Sequence, residues 1–217
     1  RRQMFTAFDA ALETGDTTAF DSLGPALADT PDGAMSRSLS RILSPMADFP
    51  PPVQAALKHW TTQMSQGMAS YAERHALNAG QTTLADQADL ERYCYFVAGT
   101  VGHLLTDLFL AGAPETNAHA DELRANAEGF GLLLQLTNIV KDVTDDAERG
   151  WCFIPETFCA AEGIESDRLV HPDHQAAAIR AIDRVNMLAR DAFDQAVSYV
   201  VALPASAEAL RRFCLFP

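Results

Sequence analysis

The chain has 217 residues, enough to bury a substantial core, and close to half of them are apolar, an ordinary share for a globular protein. Its formal charge is −13, from 29 acidic against 16 basic residues, and only Lys58 and Lys141 are lysines. That balance excludes a basic nucleic-acid-binding face and a polybasic attachment to anionic lipid.

The apolar period is helical nearly throughout, with Ala abundant and no alternating run long enough for a strand. Short helices are expected near 3–13, 17–28 and 34–46, followed by a breaker, DFPPP, at 48–52. A long helix over 53–76 ends before NAGQTT. TLADQADLERYCYFVAGTVGHLLTDLFL carries the next helix, with Asp86 or Asp89 able to cap its start. After the loop AGAPETN, a helix runs over 119–147 and stops near Gly150. A short helix near 155–161 and the loop EGIESDRLVHP lead to a helix over 172–202; LPAS breaks it, and a last helix begins near 205. The chain reads as one all-α domain of antiparallel helices spanning 1–217.

Cys94, Cys152, Cys159 and Cys214 form no C-x-x-C pair and stand in apolar surroundings, which reads as free, buried thiols in a reducing, cytoplasmic setting. No run of about 18 apolar residues marks a transmembrane span, and no signal peptide opens the chain. It begins RRQMF, without an initiator Met, and stops at FCLFP, so a piece of a longer protein is expected.

Within QLTNIVKDVTDDAERG (135–150), Gln135, Asn138, Asp142 and Asp146 fall within an arc of about 80° on a helix. Leu132, Leu136, Ile139 and Val143 form an adjoining apolar stripe, so the polar line borders the core. Asp142 and Asp146 are one turn apart. Two hard carboxylate ligands backed by amides suit a Mg²⁺ that keeps waters and shares a substrate phosphate. An EF-hand is excluded because no D-x-D-x-D-G loop is present. Spacing alone does not separate this cation site from a solvated acidic face.

The same stretch with its sequel, GLLLQLTNIVKDVTDDAERGWCFIP, resembles the second aspartate-rich motif of the squalene and phytoene synthase family. Gln135, Asn138, Lys141, Asp142, Asp146, Gly150, Phe153 and Pro155 match that pattern. RYCYFVAGTVGHLLTDLF (92–109) is similar to the family's Y-C-x-x-V-A-G-x-V-G helix, and MSQGMASYA (64–72) to its M-x-x-G-M segment. RRFCLFP, at the end, is similar to the F-C-x-x-P segment of squalene synthases.

The resemblance implies an isoprenoid synthase fold with a central cavity, and head-to-head condensation of two prenyl diphosphates through a cyclopropyl intermediate. It implies Asp142 and Asp146 as Mg²⁺ ligands, with Gln135 and Asn138 deeper, against metal, diphosphate or intermediate. Lys141 and Arg149 are implied at the diphosphate, each against the alternative of a helix cation pointing away. Tyr93 is implied near the reacting carbons. Val97, Ala98, Val101, Gly102, Leu105, Phe130, Leu134, Phe213 and Leu215 are candidates for the tunnel wall, or, along the Y-C-x-x-V-A-G helix, for close helix approach. His103 has no implied role and is expected as a hydrogen-bonded core histidine.

The family's first aspartate-rich motif is not found within 1–50 and is expected upstream. FCLFP favours farnesyl diphosphate and squalene formation, which requires NADPH; geranylgeranyl diphosphate and phytoene formation is the alternative. A non-catalytic helical scaffold is the alternative from another class. A terpene cyclase lacks its N-D-x-x-S-x-x-x-E pattern. Peripheral membrane contact is expected from the apolar products.

Overall fold

The structure is a computed structural model describing residues 2–27, 29–78 and 80–215. Positions 28 and 79, inside the expected 17–28 helix and the NAGQTT stretch, and the last two residues of FCLFP lie outside the described residues. The chain divides into two compact units, Arg1–Glu73 and Arg74–Pro217.

The first unit begins with α1 (Arg2–Thr14), whose Met4, Ala7, Phe8 and Ala11 recur at helical spacing and pack with Phe20 and Leu39. The expected 17–28 helix is shorter: α2 covers Thr18–Asp21, and a 3₁₀ turn follows at Gly24–Ala26. Gly24 and Pro25 account for the break, because Pro disfavours helical angles at the residue before it. The expected 34–46 helix is likewise split into α3 (Pro31–Ser36) and α4 (Leu39–Leu43), ending in a 3₁₀ turn at Ser44–Asp48. α5 (Pro51–Leu77) starts inside the proline run, since the first helical turn needs no backbone N–H.

The second unit is organised around α6 (Gln87–Cys94), α7 (Thr100–Gly112), α8 (Ala120–Lys141), α9 (Val143–Glu148), α10 (Glu156–Ala161), α11 (Gln175–Ala202) and α12 (Glu208–Leu215). Asp86 caps α6 by accepting from the Asp89 N–H at 2.9 Å, and Asp89 reaches back to the Ala85 N–H at 3.0 Å. Two acids thus satisfy the donors of one helix start reciprocally. Arg74 grips both Asp89 oxygens at 2.9 and 2.8 Å and the Thr83 carbonyl at 2.6 Å.

Between α6 and α7 the chain makes a π-helical turn, Tyr95–Gly99, where one continuous α-helix was expected. Among the described residues the sole strands are β1 (Thr82–Thr83) and β2 (Trp151–Cys152), a two-residue parallel bridge.

α8 packs against α7 and α11 around Phe109, Leu123, Ala127, Phe130, Ala196 and Tyr199. A Cβ on Gly102 would stand 2.1 Å from the Ala127 carbonyl oxygen, and one on Gly131 would stand 2.2 Å from that of Ala98. The backbones therefore meet where only hydrogen fits. Tyr199 stacks on Phe130 with centroids 4.9 Å apart, and its hydroxyl meets Thr106 Oγ1 at 2.9 Å. The segment Gln87–Gly112 is long and apolar enough to cross a membrane by length and composition, with mean hydropathy 1.4 in its most apolar window. No span is expected there from the sequence. Its crossing with α8 is also what a core helix makes.

Candidate functional site

The expected 119–147 helix is interrupted at Asp142, which has φ −100° and ψ 12° and separates α8 from α9. Backbone in this sparsely populated bridge region is common at active sites. The ladder continues on both sides, from the Asp142 N–H to the Asn138 carbonyl and from the Asp146 N–H to the Asp142 carbonyl, each at 2.9 Å. Asp142 and Asp146 therefore stay one turn apart despite the break.

The two aspartates differ. Asp146 is buried, its side chain 13% exposed, whereas the Asp142 side chain is 40% exposed. Burial holds the Asp146 carboxyl above the usual carboxylate range; Arg149 opposes this, and Asp142 and Asp145 add to it. Arg149 Nη1 lies 3.6 Å from Asp146 Oδ1, and its guanidinium sits 5.7 Å over the Trp151 ring. Lys141 Nζ is 3.4 Å from Asn138 Oδ1 and 3.7 Å from Asp142 Oδ1. Both cations thus turn toward the acidic line. Asn138 itself is exposed and Gln135 half-buried, so the amides grade from solvent inward along α8 rather than both lying deep.

Tyr93 is buried at the end of α6 and stacks on Phe153, centroids 4.8 Å apart and planes 20° apart. Burial, then Cys94 and Asp146, push its phenol up to about 12. Phe153, on which Tyr93 stacks, lines one cavity with Asp146. Trp151 extends the aromatic wall, 6.2 Å from Phe153. Gly150, at φ +75°, makes the left-handed turn that ends α9 and feeds Trp151 into β2. The Thr82 N–H donates to the Gly150 carbonyl at 3.1 Å, fixing that turn. A cavity of about 170 Å³ opens beside these groups, lined among others by Ile139, Val143, Asp146, Trp151 and Phe153.

Val97, Val101 and Leu105 are half-buried at one-turn intervals along the π turn and α7. Leu105 and Leu134 pack on the α7–α8–α11 core. Ala98 and Gly102 stand at the helix crossing described above. Phe130 belongs to the core stack with Tyr199, and Phe213, 53% exposed, makes a T-shaped contact with Phe109. These two are not brought to Asp146, and Leu215 is exposed. His103 is half-buried, its Nε2 3.9 Å from Glu128 Oε2. All four cysteines are free; Cys152 is only half-buried, while burial pushes Cys94 up to about 12 and Cys214 to about 11. Trp151 and the Arg74–Asp89 clamp went unmarked in the sequence. Trp151 had a readable signal, an aromatic directly after the glycine that closes the motif.

Among the described residues no group of three or more His, Cys, Asp or Glu converges into an all-protein metal cage. Asp142 and Asp146 fit a different kind of ion, one held by one or two carboxylates and completed by water and phosphate oxygens.

The fold is shared with a solved structure of TcSQS in complex with a ligand. That structure matches 93% of this chain and 63% of its own at a TM-score of 0.72 and 21% identity, and the class is the all-α isoprenoid synthase fold. A sequence profile described as squalene/phytoene synthase matches residues 2–217, and the chain belongs to that family. It is 29% identical to the squalene synthase of Cyberlindnera jadinii over 97% of this chain and 45% of the relative. It is 32% identical to the 15-cis-phytoene synthase of Enterobacter agglomerans over 63% of this chain and 45% of the relative. The chain thus spans about half the length of the curated relatives it matches.

Proposed function

We propose that this chain forms the second-aspartate-motif portion of a prenyltransferase that joins two prenyl diphosphates head to head, with Mg²⁺ held by Asp142 and Asp146. The observation that carries this reading is the pairing of those carboxylates, one turn apart, with a buried tyrosine and an aromatic wall beside Asp146. Mg²⁺ supplies neutralisation of the charge that develops on a departing diphosphate. Lys141 and Arg149 meet phosphate oxygens from the flank, with Gln135 and Asn138 donating from the same line. Tyr93 remains a neutral phenol up to about pH 12, able to hold a proton, and its face with Phe153 and Trp151 stabilises positive charge on carbon. The apolar line Val97, Val101 and Leu105 takes the prenyl chains and keeps water from the cation.

Farnesyl diphosphate, joined to presqualene diphosphate and reduced with NADPH to squalene, is the favoured substrate reading. It is supported by FCLFP and by the length of the squalene synthase match. Geranylgeranyl diphosphate and phytoene are the second reading, supported by the phytoene synthase relatives. We place the enzyme in the cytoplasm with peripheral membrane contact, because its products are hydrocarbons.

Full-length protein is incubated with each diphosphate and Mg²⁺, with and without NADPH, and the extracts are analysed. Squalene formed with NADPH supports the first substrate, and phytoene without it the second. If neither diphosphate is consumed, the enzymatic reading fails and a non-catalytic helical scaffold replaces it.

A further inference from the structure

β2 and α10 are joined by a short corner, Phe153, Ile154 and Pro155, and a cysteine stands on each side of it. Cys152 ends β2, and its Sγ donates to the Ile154 carbonyl at 3.5 Å. Cys159 lies in α10, where its N–H donates to the Pro155 carbonyl at 3.1 Å. Both thiols thus turn in on one corner, and there the Cys152 S–H is shared with the Cys159 sulfur. Neighbouring backbone holds the corner in place. Thr83 pairs with Cys152, the Glu156 N–H donates to the Leu84 carbonyl at 2.8 Å, and the Thr157 N–H donates to the Ala85 carbonyl at 3.2 Å.

The two thiols are unlike. Cys159 has no exposed surface, whereas Cys152 is half-buried and lines the cavity of about 170 Å³ beside Asp146. A small molecule in that cavity therefore meets Cys152 first. The hydrogen bond between the thiols, with burial adding to it, raises Cys152; the same bond lowers Cys159, against burial and the Glu156 charge. Negative charge in the pair thus settles on Cys159 while the proton stays on Cys152. Thiolates are the reactive form of cysteine, and redox-sensing cysteines are accessible ones that stand beside a second, resolving thiol. Cys94 and Cys214 are buried in α6 and α12, and burial raises both.

We propose that Cys152 and Cys159 are a redox pair, which a small hydroperoxide entering the cavity beside Asp146 closes to a disulfide. The Cys152 sulfur attacks the peroxide while its proton passes along the hydrogen bond to the Cys159 thiolate. An S–O bond forms, the O–O bond breaks, and the hydroxide released takes up the proton that Cys159 lost on ionising. Cys159 then attacks the Cys152 sulfenic sulfur, an S–S bond replaces the S–O bond, and the departing hydroxide leaves as water with the Cys159 proton. Two thiols are oxidised by two electrons in all, and hydrogen peroxide is reduced to two waters. In a reducing compartment such a bridge is transient. Phe153, which stacks on Tyr93, lies within the loop that the bridge closes. Formation of the bridge does not depend on the diphosphate role proposed above.

The test uses reduced full-length protein treated with hydrogen peroxide, quenched with catalase, denatured, alkylated and mapped by mass spectrometry. A bridge between the Cys152 and Cys159 peptides of one chain is expected, with loss of two hydrogen atoms and reversal by dithiothreitol. Cys94 and Cys214 should oxidise about tenfold more slowly, as enclosed thiols do. In Cys159→Ser, Cys152 should accumulate as a sulfenic acid that dimedone traps; in Cys152→Ser, Cys159 should stay a thiol. Recovery of both Cys152 and Cys159 as thiols from treated wild-type protein overturns the proposal, as does a bridge that uses another cysteine or joins two chains. Sulfenic acid on Cys159 in folded Cys152→Ser overturns the route through the cavity. Should a serine variant not fold, the wild-type bridge map decides alone.

Discussion

The two ends of α8 are built to opposite rules. At Leu123–Gly131 the helix is small-residue, dry and satisfied: Ala127 faces Gly102, Phe130 lies on Tyr199, and the tyrosine hydroxyl has Thr106. At Asn138–Asp146 it is polar, half-exposed and backbone-broken, with a buried carboxylate whose charge is opposed by its surroundings. The first end is optimised for staying folded. The second end carries a desolvation cost that Arg149, 3.6 Å from Asp146, opposes.

Substitutions should separate the two ends by which measurement they move. Asp146→Asn or Asp142→Asn should cut turnover by about a thousandfold or more, as loss of a charge-stabilising group does. In the absence of Mg²⁺, Asp146→Asn should leave the melting temperature equal or higher, because it removes the penalised charge. A lower melting temperature would make Asp146 architectural and erase the contrast. Tyr93→Phe should lower kcat by about a hundredfold, the scale of a lost proton-transfer group, with little change in KM. An unchanged rate returns Tyr93 to the core.

At the other end, Gly131→Ala should destabilise by about 3 kcal/mol or more, the upper range for overpacking, since the Ala98 carbonyl that blocks the new methyl is backbone. Denaturant unfolding of the purified variant measures this, and near-wild-type stability would show that the crossing can open. Tyr199→Phe should cost about 1 kcal/mol, one buried hydrogen bond, because Thr106 keeps its bond to the Gly102 carbonyl. Neither core variant should change kcat of the folded fraction more than about twofold, by the usual independence of well-separated sites.

Helix existence was readable because the apolar period is long, and Asp86 announced its cap. The aspartate line was readable because one-turn spacing survives the interruption at Asp142. The interruption itself was not, since Asp is only a modest helix breaker and its neighbours are good helix formers. The Thr82–Trp151 bridge was also hidden, because two residues make no period and their pairing spans the sequence between them. An apolar helix face looks alike whether it lines a cavity or a core, so the sequence gives no sign of the ring stack of Phe130 on Tyr199 or of the exposure of Phe213.

The π turn at Tyr95–Gly99 works as a phase adjuster. One additional residue in a helix rotates everything beyond it by about 100°. Tyr93 and Gly102 can therefore address different neighbours, Phe153 and Ala127, from one nearly continuous rod. Because the wide turn already holds the excess residue, deleting one residue there can close it to regular α-helix, whereas deleting one from 103–108 would swing Phe109 by about 100° off the partners it now meets.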